Sequence, residues 1–161
     1  MLTFDLNDQG KATLKELATF LERLGTMPPQ ASRKAVADTI RRGYLENFQS
    51  ESAGGVPWAP LAPSTIRDRI RRGYPGPRPK LVRTGDYRRS WTQPGGDNVE
   101  EWHQGEGWWN VVVGSTDYRV PWHERGTSRM PARKVNRLSD KAMVYIYYRI
   151  ENYYKQQEPK P

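Results

Sequence analysis

Apolar residues recur at helical spacing in the first third and the last quarter of this sequence, and strand-like alternation replaces them in between. That change of period constrains the fold more than any other feature. Val36, Ile40, Tyr44 and Phe48 form one stripe, opened by Pro28 and Pro29, and predict a helix that runs to about residue 51. Leu138, Ala142, Tyr145, Ile146, Ile150 and Tyr153 form another and predict a long C-terminal helix over 139–156, followed by a polar tail. Leu14, Leu17, Ala18, Leu21 and Leu24 mark an earlier helix over about 10–24, closed by Gly25 and preceded by a short strand at 3–6.

Between the stripes, "SWTQ", "VEEWHQ" and "WWNVVVG" are separated by the turns "PGGDN" and "GEG" and read as an antiparallel meander, with its strongest strand at 108–113. Residues 114–137, broken by Gly114, Pro121, Gly126 and Pro131, read as irregular. "SAGGVPWAPLAP" reads as a turn-rich loop, and Pro63-Ser64-Thr65 opens a short basic helix over 64–72. "GYPGPRPK" cannot continue that helix and is expected to be exposed, partly extended and mobile unless a partner orders it. After Gly85, "DYRRSW" either makes one helical turn or enters a strand.

The closing helix also carries Met143, Tyr147, Tyr148 and Tyr154 off its main stripe. A helix that is apolar on more than one side must be covered on more than one side. Either it lies across the sheet, or a second subunit covers its outer face.

A chain of 161 residues fits one domain. With no cysteine, disulfides, thiolate zinc sites and cysteine nucleophiles drop out together. No apolar run approaches the ~20 residues that span a bilayer, and the N-terminus lacks the order of a signal peptide, so the chain is expected to stay in solution without a membrane partner. Only 35% of the residues are hydrophobic, yet six Trp and nine Tyr supply large amphipathic rings that suit interfaces as well as cores.

Net charge is +8, and its location matters more than its size. Residues 64–90 hold nine basic residues against Asp68 and Asp86, while the rest of the chain holds 17 basic and 16 acidic residues. An anionic partner is therefore expected at this segment, unless it is a solvated face or pairs with acids on a neighbouring subunit.

Motifs for catalysis are missing. There is no Gly-rich phosphate loop of common spacing, no Gly-x-Ser-x-Gly elbow and no His-Glu-x-x-His. His103 and His123 are the only imidazoles and make a poor metal site without cysteine or a carboxylate pattern. His123, beside Glu124, is a candidate to titrate near neutral pH, although a lone histidine next to Trp122 reads more readily as a structural group. Glu100, Glu101 and Glu106 lie in hairpin positions where acids are usually solvated, and nothing selects them as an acid/base pair.

Nucleic-acid binding is the stronger chemical alternative. Arg67, Arg71 and the arginines from Arg78 to Arg89 are interleaved with Tyr74, Tyr87 and Trp91, which pairs phosphate-seeking groups with stacking rings. No zinc finger, RNP or helix-turn-helix signature accompanies them, so only sequence-neutral contact is expected.

Read in order, "GVPWAPLAPSTIRDR", "LVRTGDYRRSW" and "VVVGSTDYRVPWHERGTSRMPARKV", followed by an amphipathic helix, resemble the virion morphogenesis or tail-completion family of tailed bacteriophages. These are neck proteins that join or finish head and tail. The likeness rests on Trp58, Pro60, Leu61 and Thr65; on Leu81, Thr84, Gly85 and Ser90; and on Val113, Gly114, Tyr118, His123, Gly126, Pro131, Ala132 and Arg133. It covers about residues 36–155. Pro121-Trp122 stands where small or aliphatic residues are usual, the interval from Tyr118 to His123 is one residue longer, "KVN" follows "PAR", and the loop 73–80 is unusually rich in proline.

The resemblance implies one α+β domain, a small antiparallel β-sheet flanked by N-terminal helices (1–52) and a long C-terminal helix (138–156), with a basic loop-rich segment (53–90) and a β-meander (90–137) between. It implies a ring of six copies at the virion neck, assembled in the host cytoplasm, without catalysis, cofactor or metal. Its partners would be the connector or adaptor, a tail terminator or tail tube, and passing double-stranded DNA. In this reading Arg67, Arg71, Arg83, Arg88, Arg89 and Arg133 face partners or the channel. Trp58, Leu61, Trp91 and Gly114 would be structural, as would the motif positions Thr84, Gly85, Tyr118, His123, Gly126 and Pro131. Thr84-Gly85-Asp86 is expected to form a tight turn that sends Tyr87 and Trp91 inward.

Overall fold

Helix α1 (Gln30–Ser50) is the centre of the packing because its apolar residues recur every four positions and fall on one face. Val36, Ala37, Ile40, Tyr44 and Phe48 on that face are all buried. A computed structural model describes residues 25–156. The strand expected at 3–6, the helix expected at 10–24 and the tail beyond residue 156 lie outside them. Around α1 the core is closed by Trp58, Tyr87, Trp91, Val113, Val135 and Ile146. Its rings meet edge to face, Tyr44 on Trp91 at 5.0 Å and Phe48 on Trp58 at 5.5 Å, the geometry that ring quadrupoles favour.

After α1, a two-residue pair joins β1 (Ser52–Ala53) to β2 (Val56–Pro57), where only a loop was expected. Helix α2 (Pro63–Arg71) begins with proline, whose missing N–H costs nothing in a first turn. Helix α3 spans Asp86–Thr92. Strands β3 (Asn98–Gly105) and β4 (Trp108–Ser115) pair antiparallel, with Asn98 opposite Ser115 and Gly105 opposite Trp108. Helix α4 (Val120–Arg125) follows, and α5 (Asp140–Lys155) closes the described chain behind an N-cap in which the Ser139 hydroxyl accepts the Ala142 N–H. Among the described residues, two small antiparallel sheets and five helices make an α+β fold, and no helix is long and apolar enough to cross a membrane.

Two expectations about the middle of the chain need correction. The meander is a single hairpin, because "SWTQ" is the end of α3. Tyr87, Ser90 and Trp91 are buried while Arg89 between them is exposed, an i, i+3, i+4 pattern that a helix satisfies and an alternating strand does not. The stretch 114–137 is not wholly irregular either, since Pro121 sits in the first turn of α4.

Polar side chains fasten these pieces to α1. Buried Arg41 donates to Asn98 Oδ1 and pairs with Glu100 of β3 and Asp38 of its own helix. Tyr44 donates its hydroxyl to the Val113 carbonyl at 2.8 Å. Asn47 donates to the carbonyls of Val135 and Arg137, and the Trp58 indole to that of Lys134, which straps the run before α5 onto the core. Where α5 crosses α1, a Cβ on Gly43 would lie 2.7 Å from Leu138 and 3.2 Å from Ala142, so the close approach depends on that glycine.

Candidate functional site

The 81–85 turn positions the basic segment. Gly85 takes φ 90, in the left-handed region that favours glycine, and caps α3. Tyr87 and Trp91 consequently enter the core, while Arg88 and Arg89 stay exposed. The loop before it is anchored at its far end. The backbone N–H of Lys80 donates to Glu51 Oε1, and its ammonium donates to the Trp58 carbonyl and pairs with Glu51. Burial alone would raise the Glu51 carboxyl, but Lys80, with Arg78, outweighs it and holds the group below its ordinary value.

Much of the basic charge is already spoken for within the chain. Arg71 and Arg72 share Asp68, Arg89 takes Asp86, and Arg78 joins Lys80 on Glu51. Arg69 is buried and donates to the carbonyls of Pro79 and Val82. Arg83 lies over the Tyr74 ring, 4.7 Å from its centroid. Among the described residues, Arg67 and Arg88 make no ion pair and stand exposed on α2 and α3.

Arg133 departs from its expected role. It was expected to face a partner or channel, yet it is 3% exposed and donates to the carbonyls of Ala59 and Pro60. Its forked guanidinium staples the "PAR" element to the Trp58 loop.

The 118–133 segment folds back against this basic region. Gly126, at φ 76, leaves no room for a side chain beside Met130 and Ala132, so the chain reverses tightly into the Thr127–Met130 bridge. The reversal brings Arg119, His123, Arg129 and Arg133 to face Arg69 and Arg83 across a cavity of about 400 Å³. Leu61, Leu81, Val82, Thr84, Met130 and Pro131 supply much of its remaining wall. Asp68 is the one carboxylate lining it. Asp117, just outside, is buried and holds Arg119, whose hydrogen bonds keep the Asp117 carboxyl below its ordinary value.

His123 sits at the inner wall with its ring 4.8 Å from Tyr87. Burial, then the charges of Arg133 and Arg119, push it down to about 4, so the imidazole is neutral at physiological pH and does not titrate near neutrality. Its Nδ1 is buried without a partner, and no carboxylate orients the ring. The neighbouring Glu124 instead accepts the N–H groups of Val135 and Asn136. The arrangement concentrates positive charge but lacks the oriented base of a proton relay. Among the described residues no group of three His, Asp or Glu side chains is placed to hold a metal ion.

A second surface lies on the far side of α5. Ala142 and Ile146 are buried toward α1, whereas Val144, Tyr145, Tyr147 and Tyr148 are between 55% and 66% exposed. Tyr145, expected on the buried stripe, faces outward, and Tyr154, expected off it, is buried and accepts from the Trp109 indole. Tyr118, 71% exposed and just before α4, forms an edge-to-face pair with Trp122 of that helix.

The remaining motif positions divide by depth. Trp58 and Trp91 are core residues, Leu61 and Pro131 line the cavity, Gly114 is half-buried in β4, and Thr84 is exposed beside Asp86. Sequence reasoning missed Arg69, Arg119 and Arg129 as cavity residues. Only Arg69 carried a local signal, since it shares a helical face with half-buried Ile66 three residues earlier. The chain matches no protein family, no curated protein and no solved structure.

Proposed function

We propose that this chain is a structural protein of the neck of a tailed bacteriophage, which assembles with copies of itself into a ring and completes or joins the tail to the head-side connector. The observation that carries this reading is the uncovered aromatic face of α5, where Val144, Tyr145, Tyr147 and Tyr148 meet solvent in the single chain. A row of tyrosines is costly to leave in water and well suited to an interface, because each ring offers apolar area with a hydroxyl at its edge. A heterologous contact that closes by rotation would cover this face in every copy at once. The order of sequence elements shared with tail-completion proteins supports the same reading. Passing DNA would meet Arg67 and Arg88, two exposed arginines without a carboxylate partner among the described residues.

The reading is tested by assembling phage particles without this chain. Unjoined heads and tails are expected to accumulate; joined, infectious particles would overturn it. A second reading, sequence-neutral binding of nucleic acid by the single chain, is favoured by the same unpaired arginines. It requires tight, steeply salt-sensitive binding of duplex DNA by the monomer.

A further inference from the structure

We propose that the cavity between α2, the 81–85 turn and the 118–133 segment is a binding site for a carboxylate on an acidic, partly apolar peptide segment of a neighbouring protein chain. The inference rests on the neck reading only for the source of that neighbour. The binding is a property of the single chain.

Charge is the first argument. Arg69, Arg83, Arg119, Arg129 and Arg133 line one recess, and its lining carboxylate, Asp68, is already tied to Arg71 and Arg72. Asp117 neutralises Arg119, which leaves four guanidiniums with no carboxylate partner among the described residues. Two of these, Arg69 and Arg133, are 5% and 3% exposed and are held only by backbone carbonyls. Unbalanced buried cations are costly, and an incoming anion would offset that cost directly. Arg69 Nε and His123 Nδ1 are also buried with no partner in the protein.

Shape is the second. The recess of about 400 Å³ falls in the range of small-ligand sites, and Leu61, Leu81, Val82 and Met130 give it apolar walls. A glutamate side chain can enter with its methylenes against those walls and its carboxylate on the forked donors, the geometry in which guanidinium and carboxylate pair best. A DNA duplex presents its phosphates on a stiff rod that cannot enter such a recess, and would instead meet exposed arginines outside it such as Arg67 and Arg88.

The test is fluorescence anisotropy on the full chain with a labelled peptide of alternating glutamate and leucine. The unmodified chain is expected to bind it. Arg83→Glu combined with Arg129→Glu, both exposed at the rim, should weaken binding at least ~10-fold, and Arg67→Glu, outside the cavity, by no more than ~2-fold. The pair Arg83→Gln and Arg129→Gln, which adds no charge, should act in the same direction with an unchanged unfolding temperature. Failure to bind overturns the proposal, as does equal binding of the matching glutamine-leucine peptide or an equal loss from Arg67→Glu. Tighter binding of a DNA duplex that the rim substitutions abolish overturns it in favour of nucleic acid. A chain that binds the peptide but is absent from assembled particles supports the site and contradicts the neck reading.

Discussion

At His123, the shift from an ordinary 6.5 to about 4 couples the fold to pH. The folded value is depressed, so the unfolded chain binds more protons between the two values. The contribution of neutral His123 is therefore complete above about pH 6.5 and is lost as pH falls toward 4. Glu124, raised by burial, runs in the opposite sense: it stabilises most below its ordinary 4.5 and less as pH rises through its folded value, which offsets part of the slope. Desolvation would raise both Glu51 and Glu100, yet they are held low by Lys80 and by Trp102 and Arg41 respectively, so they add to the loss below 4.5. Replacing His123 with Gln should flatten urea-unfolding stability between pH 6.5 and 4; a slope identical to that of the unmodified chain would contradict the assignment. Arg133→Ala leaves the Ala59 and Pro60 carbonyls without their donors and should cost about 2–4 kcal/mol. Arg133→Lys should not restore it, because one ammonium cannot reproduce the fork. The inward turn of Tyr87 and Trp91 was legible from the Thr84-Gly85-Asp86 element that precedes them. The burial of Arg133 was not, because its partners are backbone carbonyls more than seventy residues earlier in the chain.

Among the elements, α1 and α5 were the easiest to read, since each carries an apolar stripe longer than three turns and matches its expected bounds to within about a residue. The "SWTQ" segment was misread because four residues satisfy a strand pattern as well as a helix pattern, and only the contact of Trp91 with Tyr44 decides between them. Helix α4 was hidden by Pro121, which reads as a break unless the helix is known to start beside it. The crossing of α1 and α5 yields a direct prediction. Gly43→Leu places a side chain where Leu138 and Ala142 already sit and should destabilise the chain by about 1–3 kcal/mol, despite leucine's better helix propensity. Thermal unfolding checks this, and an unchanged midpoint would mean that the helices can separate at no cost.

For the whole molecule, the α+β class was accessible from the succession of periods and from the resemblance, while the cavity was not. It forms only when residues 61–85 meet residues 118–133, two stretches whose basic residues look like solvated charge when read separately. The outer face of α5 was partly legible, because tyrosines off the main stripe already required a second cover. Among the described residues α5 packs on α1 through Ala142 and Ile146 and leaves its outer tyrosines exposed, and a second copy of the chain is the cover that the proposed ring would supply. Tyr147→Glu combined with Tyr148→Glu should abolish self-association while leaving the unfolding temperature of the single chain unchanged, since neither ring is buried in it. The most direct measurement is the native mass of the purified full-length protein across a concentration series, with that double variant as control. The account predicts one discrete closed oligomer of six copies for the unmodified chain and a monomer for the variant; an 18.6 kDa monomer at every concentration for both would contradict it.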